Sequence, residues 1–116
     1  MQTQPQEAQV FVRQLQEWLD KFYASLRQDE SLIALYQDPV GNIITVDQIG
    51  FHDPYMVAIV GEDSANNRTV VLAHMSTVQI VLKAVRDTDN TPTAPKKTKI
   101  GFIGDAKAFS FNPPAQ

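Results

Sequence analysis

Two histidines have the widest chemical repertoire in this chain, and both stand at the ends of predicted strands. His52 closes one apolar run, and His74 closes another just before Ser76. An imidazole can act as a general base, ligate a metal or contact an anion near neutral pH. Neither histidine belongs to an H-x-x-x-H or H-E-x-x-H motif. The spacing therefore predicts no metal site, and no cofactor is expected.

The segment around His74 is predicted to pass from a strand directly into a second helix. Ser76 and Gln79 fit an S-x-x-Q capping box, and Met75 and Ile80 fit the hydrophobic staple that accompanies it. The unpaired N–H groups of a helix N-terminus attract anions. This junction is therefore a candidate anion site, although Ser76 already satisfies part of the helix end.

Aromatic and basic side chains near the two histidines complete a candidate pocket. An aromatic ring can stack on a planar ligand, and Gly50 would let such a ligand approach the backbone. Lys99 belongs to a local excess of lysines that could close over an anion. The predicted ligand-binding residues are Phe51, His52, Tyr55, His74, Ser76 and Lys99.

Catalytic alternatives have weaker support in the sequence. A triad could combine Ser76 with His52 or His74 and with Asp47 or Asp53, but no nucleophile elbow surrounds the serine. Phosphate-binding signatures such as a Walker A loop or G-x-G-x-x-G are also absent from the sequence. We therefore predict no catalytic residues, and a small hydrolase using His52 or His74 remains an alternative.

The N-terminal segment, residues 6–28, is predicted to form one long amphipathic helix. Apolar residues recur along it at three- and four-residue spacing. Such a stripe must be covered, either by the sheet of the same chain or by a second subunit. The residues predicted to form an interface are Phe11, Leu15, Trp18 and Phe22.

The rest of the chain is predicted to form strands joined by short turns. Residues 31–37, 43–52, 55–60 and 69–74 read as strands, which short connections make antiparallel neighbours. Beyond them we predict the second helix at residues 77–86, a flexible linker at 87–98, a last strand at 99–103 and a tail at 104–116. The fold class is α+β, with both helices on one face of a mainly antiparallel sheet of four or five strands.

Composition limits the classes of protein that this chain could belong to. Its 116 residues suit one domain, residues 1–116, and a net charge of −3 does not favour sequence-specific nucleic-acid binding. The absence of cysteine fits a reducing compartment. The N-terminus has no signal-peptide pattern, and no apolar run is long enough for a membrane helix. We expect a cytoplasmic protein that does not bind membranes.

Several short motifs, in order along the chain, resemble a bacterial and phage family of unknown function, domain family 6173. The motifs lie at residues 47–51 (Asp-Gln-Ile-Gly-Phe), 54–57, 72–76, 79–82 and 99–102. The resemblance covers residues 31–102 and implies the same layout of strands. The chain departs from the family pattern in having Ala73 before His74, and in a longer linker before the last strand. The family implies no activity.

These observations favour a non-enzymatic binding protein that sequesters a small anionic or nucleotide-like ligand and forms a homo-oligomer. The distribution of the family suggests one concrete version, a phage counter-defence sponge for a host signalling nucleotide. The alternative is a protein-interaction module that uses the N-terminal helix around Trp18 and Phe22.

Overall fold

The fold consists of one long helix and a six-stranded sheet. A computed structural model describes residues 5–87 and 100–108. Two single turns of 3-10 helix, Met75–Thr77 and Ala106–Ala108, follow the fourth and sixth strands. In chain order the elements are α1 (Glu7–Ala24), β1 (Glu30–Gln37), β2 (Ile43–His52), β3 (Met56–Glu62), β4 (Arg68–His74), β5 (Ile80–Arg86) and β6 (Gly101–Asp105).

Helix α1 is amphipathic, as predicted, but it is shorter than residues 6–28. The side chains that it buries are Ala8, Val12 and Leu19, whose spacings of four and seven residues place them on one face. The helix ends at Ala24, where the backbone N–H of Ser25 donates back to the helix. Trp18 is 66% exposed and lies off this buried face.

The first four strands form the antiparallel meander that the sequence predicts. β1 pairs with β2, β2 with β3, and β3 with β4, each pair in antiparallel register. Short turns connect the pairs, so each strand returns beside the one before it. The prediction of strands at residues 31–37, 43–52, 55–60 and 69–74 is confirmed with small shifts at the ends.

The turns of the two hairpins β1–β2 and β3–β4 share one hydrogen-bond design. In each turn an aspartate accepts backbone N–H groups through its carboxylate: Asp38 from Val40 and Asn42, and Asp63 from Ala65 and Asn67. The fourth residue of each turn has a positive φ, at Gly41 (96°) and Asn66 (64°). Glycine and asparagine tolerate this conformation better than other residues.

The second helix that we predicted at residues 77–86 does not form, and this segment is strand β5. Val78, Val81, Leu82 and Val85 fit helical spacing, but Ile80, Leu82 and Ala84 fit the alternation of a strand, and these are the residues of β5 that are partly buried. β5 pairs with β1 along its whole length, from Tyr36 opposite Ile80 to Glu30 opposite Arg86. β-branched side chains favour the extended conformation, and the pairing with β1 decides between the two patterns.

Strand β2 is central and bends at a bulge between Val46 and Gln48. Its first residues pair with β1, while Gln48 to Phe51 pair with β6 on the same edge and in parallel. Gly50 permits this approach, because a Cβ atom there would lie 2.5 Å from Cγ1 of Ile103.

The described sheet has the order β4-β3-β2-β1-β5, with β6 beside β2. The hydrophobic core lies between this sheet and α1. Its buried members are Val12, Ala34, Tyr36, Ile44, Val46, Ile49, Val57 and Ile59.

The fold is therefore α+β with a mainly antiparallel sheet, but within residues 5–87 and 100–108 only one α-helix packs on it and the sheet has six strands. The last strand lies at Gly101–Asp105, slightly later than residues 99–103. The predicted linker at residues 87–98 lies outside the described residues, except for Asp87. The predicted tail at 104–116 begins within β6 and is described only as far as residue 108.

The turn aspartates should make stability depend on pH. Hydrogen bonds from Asn67 and Ala65 hold the pKa of Asp63 below its usual value of 3.8, so the folded state favours the ionised carboxylate. This stabilisation is present above the unfolded pKa and is lost as the pH falls through the lower folded pKa. We expect Asp63→Asn to melt below wild type at about pH 7, with the difference shrinking toward about pH 3.

Thermal unfolding followed by circular dichroism across this pH range measures the effect. Glu17→Gln, on the exposed side of α1, controls for simple removal of a negative charge. A constant gap between wild type and Asp63→Asn at every pH would contradict the assignment.

Candidate functional site

The turn between β2 and β3 is held against the N-terminus of α1. The backbone N–H of Ala8 donates to the carbonyl oxygen of Pro54 (2.9 Å), and that of Gln9 donates to Oδ1 of Asp53 (3.1 Å). The first N–H groups of a helix have no partner within the helix, and a carboxylate there also interacts favourably with the helix dipole. Asp53 thus caps α1 from a distant part of the chain. The Asp53–Pro54 peptide bond is cis.

Two aromatic rings meet beside this turn. The rings of Tyr55 and His74 are stacked, with centroids 5.5 Å apart and planes inclined by 21°. Strand pairing brings these rings together. Met56 lies opposite His74 in the β3–β4 ladder and opposite His52 in the β2–β3 ladder, and Tyr55 directly precedes Met56. The N–H of Met75 also donates to the carbonyl oxygen of Tyr55 (2.7 Å), which extends the ladder into the turn.

His74 caps the 3-10 turn that follows β4. Its Nδ1 accepts the backbone N–H of Ser76 (3.1 Å) and lies 2.8 Å from Oγ of Ser76, while Oγ1 of Thr77 donates to the carbonyl oxygen of His74 (2.8 Å). A backbone N–H can only donate, so the neutral ring must carry its proton on Nε2. Nε2–H is then the donor that His74 can offer to a ligand.

The helix N-terminus on which the predicted anion site depended does not form. Ser76 belongs to a three-residue turn, and its N–H donates to His74 instead of forming a capping box with Gln79. A single turn does not carry the aligned dipole of a helix. The contact between Ser76 and His74 is part of this turn. For the predicted triad, no carboxylate in the described residues hydrogen-bonds to His74.

A cavity of about 350 Å³ opens at this place. It brings together three of the predicted ligand-binding residues, His52, Tyr55 and His74, with Ser76 hydrogen-bonded to the last of them. Most of its lining is apolar. The lining residues are His52, Asp53, Pro54, Tyr55, Met56 and His74.

The lining also includes residues that the sequence did not assign to ligand binding. Met56 was predicted as a strand residue and Asp53 as a possible member of a catalytic triad. Asp53 and Pro54 lie between His52 and Tyr55 in a tight turn, and Met56 directly follows Tyr55. This proximity along the chain is the signal that could have found them, because residues of a tight turn share the surroundings of their neighbours.

Two predicted ligand-binding residues are not placed at this cavity. Phe51 is partly buried and packs against the hydrophobic core, since successive residues of a strand face opposite sides of the sheet. Lys99 lies outside the described residues.

The predicted interface residues of α1 lie along one margin of its buried face. Phe11 and Leu15 are partly buried and pack against the core, and Phe22 is also partly buried. Trp18 is exposed, and Nζ of Lys21 lies 5.2 Å from the centroid of its ring. The exposed apolar side of α1 continues at Val10, which is 44% exposed.

A larger cavity of about 690 Å³ lies beside β2, in the fork between the part of β2 that pairs with β1 and the part that pairs with β6. Asp47, Glu62 and Arg68 contribute its charged groups, and Ile100 forms part of its wall. Ile100 is the first described residue after residues 88–99, so the described residues define only part of this fork. The 350 Å³ cavity beside Tyr55 and His74, called the aromatic cavity below, is by contrast lined by one continuous turn and its neighbouring strand.

Neither a metal centre nor a membrane-spanning helix is found in the described part of the chain. Residues 5–87 and 100–108 contain no group of three or more His, Asp or Glu side chains placed to hold a metal ion. The one long helix in these ranges falls short of the length and hydropathy needed to cross a bilayer.

Comparisons with known proteins found no relative of this chain. Its sequence matches no family model and no curated protein, and its structure matches no solved structure. The resemblance to domain family 6173 therefore stays a prediction, and the function must be argued from the site itself.

Removing the cap that Asp53 provides should loosen both α1 and the turn beneath the cavity. We expect Asp53→Ala to lower the free energy of unfolding by about 0.5–2 kcal/mol, the usual cost of losing an N-cap side chain. Asp53→Asn retains an oxygen at the Oδ1 position and should lose less. Urea unfolding at neutral pH measures both variants, and equal stability of wild type and Asp53→Ala would contradict the role of the cap.

Proposed function

We propose that this chain binds a small, planar, nucleotide-like ligand at the aromatic cavity and acts by sequestering it. The observation that supports the proposal most is the stacked pair of Tyr55 and His74 on the wall of a mainly apolar cavity. Small-ligand sites are concave and mostly apolar, with a few polar groups that orient the ligand, and they typically begin at about 300 Å³. A cavity of about 350 Å³ suits one heterocyclic ring system.

The ligand would extend the stack and would not enter it. A ring inserted between two others needs them about 7 Å apart, twice the van der Waals separation of carbon atoms. The centroids of Tyr55 and His74 are 5.5 Å apart, so a planar ligand would lie on the open face of one ring. Tyr55 is 41% exposed and leaves such a face accessible.

Polar groups at the rim would select the edge of the heterocycle. Asp53 is one of the lining residues; its carboxylate already accepts the N–H of Gln9 through Oδ1, and carboxylate oxygens have further acceptor capacity. Nε2–H of His74 offers a donor. A nucleobase, which carries amino donors and ring-nitrogen acceptors, complements this pair of groups.

The negative part of a nucleotide would have to lie outside this cavity. Asp53 would repel a phosphate held close to it, and the helix N-terminus that we expected to hold an anion is not present. The proposal therefore places the base in the cavity and the phosphate beyond its rim. Sequestration of a host signalling nucleotide by a phage protein is one version of this proposal.

Calorimetric titration with a nucleotide panel tests the proposal. The panel contains adenosine, AMP and a cyclic dinucleotide, with ribose 5-phosphate as the ligand that lacks a base. Stacking of a base on an aromatic side chain contributes about 1–3 kcal/mol, so Tyr55→Leu should weaken binding by roughly 5-fold to 150-fold. Trp18→Leu removes an exposed aromatic residue elsewhere and should leave the affinity unchanged.

Three results would overturn the assignment of the site. They are no binding by any member of the panel, binding of ribose 5-phosphate as strong as that of AMP, and equal affinity of wild type and Tyr55→Leu. Circular dichroism confirms that each variant keeps its fold before it is titrated.

The exposed side of α1 favours a second candidate function, self-association through the helix. Val10 and Phe11 line a shallow cavity of about 350 Å³ together with Met75, and Trp18 lies further along the same helix. Because Trp18 is 66% exposed, Trp18→Glu should retain the fold while it abolishes any association that uses this face. Analytical ultracentrifugation of this variant measures that contribution.

A further inference from the structure

Strand β4 is the outer strand at one end of the described sheet. β3 pairs with one of its edges, and no strand among residues 5–87 and 100–108 pairs with the other. Natural proteins usually protect such an edge with proline, lysine, a bulge or a covering element. β4 contains neither proline nor lysine, and its register with β3 runs from Arg68 to His74 without a shift.

β5, the strand at the opposite end of the β4-β3-β2-β1-β5 order, shows the protection that β4 lacks. Lys83 stands at the centre of β5 and is exposed. β4 has two apolar side chains in the corresponding central region, Val70 (47% exposed) and Leu72 (62% exposed). The contrast identifies β4 as the edge that is prepared to receive another strand.

Hydrogen bonds at the two ends of the β3–β4 ladder show which backbone groups of β4 face outward. The N–H of Asp63 donates to the carbonyl oxygen of Asn67 (3.0 Å) at one end, and that of Met75 donates to Tyr55 (2.7 Å) at the other. Hydrogen-bonded pairs alternate along an antiparallel ladder. The intervening bonded pairs therefore include Ile59 with Val71, so the N–H and C=O groups of the residues on either side of Val71 face the open edge.

We propose that β4 pairs with β4 of a second copy of this chain, antiparallel and about a two-fold axis at Val71. In this register Val70 lies opposite Leu72 of the partner subunit, and Leu72 lies opposite Val70 of the partner subunit. Their outward N–H and C=O groups then form the closely spaced bonded pairs that an antiparallel ladder requires. A two-fold interface uses one surface twice, so one strand supplies both halves.

The exposed side chains select this register over its neighbours. Val70 and the partner's Leu72 lie on the same face of the extended sheet, where directly opposite Cβ atoms approach within about 5 Å. A shift of two residues in one direction would set Leu72 opposite Arg68 of the partner subunit, and a shift in the other direction would set Val70 opposite His74 of the partner subunit. In either case only one of the two apolar side chains would lie opposite an apolar side chain. The central register also uses all seven residues of Arg68–His74.

The proposed pair also brings a positive charge to the end of β4 that adjoins the aromatic cavity. Arg68 of the partner subunit lies opposite His74, at the end of β4 where Asp53 lines the aromatic cavity. The lining residues of one chain include this carboxylate but no lysine or arginine. The partner's Arg68 would bring a positive charge to the rim, where the phosphate of a bound nucleotide would lie.

Sedimentation equilibrium over a range of protein concentrations tests the pairing. We expect wild type to form a dimer that dissociates on dilution, and Leu72→Lys to be monomeric at every concentration. Val81→Lys is the matched control, because Val81 is similarly exposed (56%) on the opposite outer strand, β5, and it should dimerise like wild type. Circular dichroism reports whether each variant retains its fold.

Three outcomes of this experiment would overturn the proposal. Wild type could be monomeric throughout, or Leu72→Lys could dimerise as well as wild type. A dimer that Trp18→Glu or Val81→Lys abolishes and Leu72→Lys retains would place the interface elsewhere.

Disulfide trapping tests the register even if a lysine at position 72 prevents folding. The chain has no cysteine, so an introduced thiol has no competitor. A mixture of Val70→Cys and Leu72→Cys chains should form a covalent dimer of one chain of each kind under mild oxidation, because these positions lie directly opposite each other. Either variant alone should cross-link far less. Equal cross-linking within each variant alone, or none in the mixture, would overturn the proposed register.

Discussion

The first turn of α1 and the turn between β2 and β3 satisfy each other's polar groups, and the placement of the helix on the sheet depends on this exchange. Ala8 and Gln9 donate the N–H groups that the helix cannot use internally, and Pro54 and Asp53 accept them. The same contact fixes the turn that leads into Tyr55. One small set of hydrogen bonds therefore both positions α1 over the core and supports one side of the candidate site.

Much of the fold could be predicted from local sequence, because turn chemistry is local. Asp38 and Asp63 mark two hairpins, and the apolar runs around them leave little choice of pairing. β5 could not be predicted in the same way. Its apolar residues fit a period of 3.6 and a period of 2, and the choice depends on β1, which lies about fifty residues earlier in the chain. Such pairing leaves no mark on the segment itself.

The candidate site was predictable to the extent that hairpin register is predictable. His52, Tyr55 and His74 converge because they lie at the same end of the β2–β3 and β3–β4 ladders. Phe51 fails to join them because one residue along a strand reverses the face. The role of Asp53 was hidden for another reason, since the helix that it caps lies more than forty residues away in the sequence.

The parallel contact between β2 and β6 has a consequence for how the chain is made. The hairpins close through short turns and can form as soon as their strands are available. β6 lies about fifty residues beyond the half of β2 that it joins, and closing so long a loop carries a larger entropic cost. A nascent chain therefore exposes an open, apolar strand edge around Ile49 until Gly101–Asp105 has left the ribosome. Premature termination before β6 would leave that edge available for aggregation.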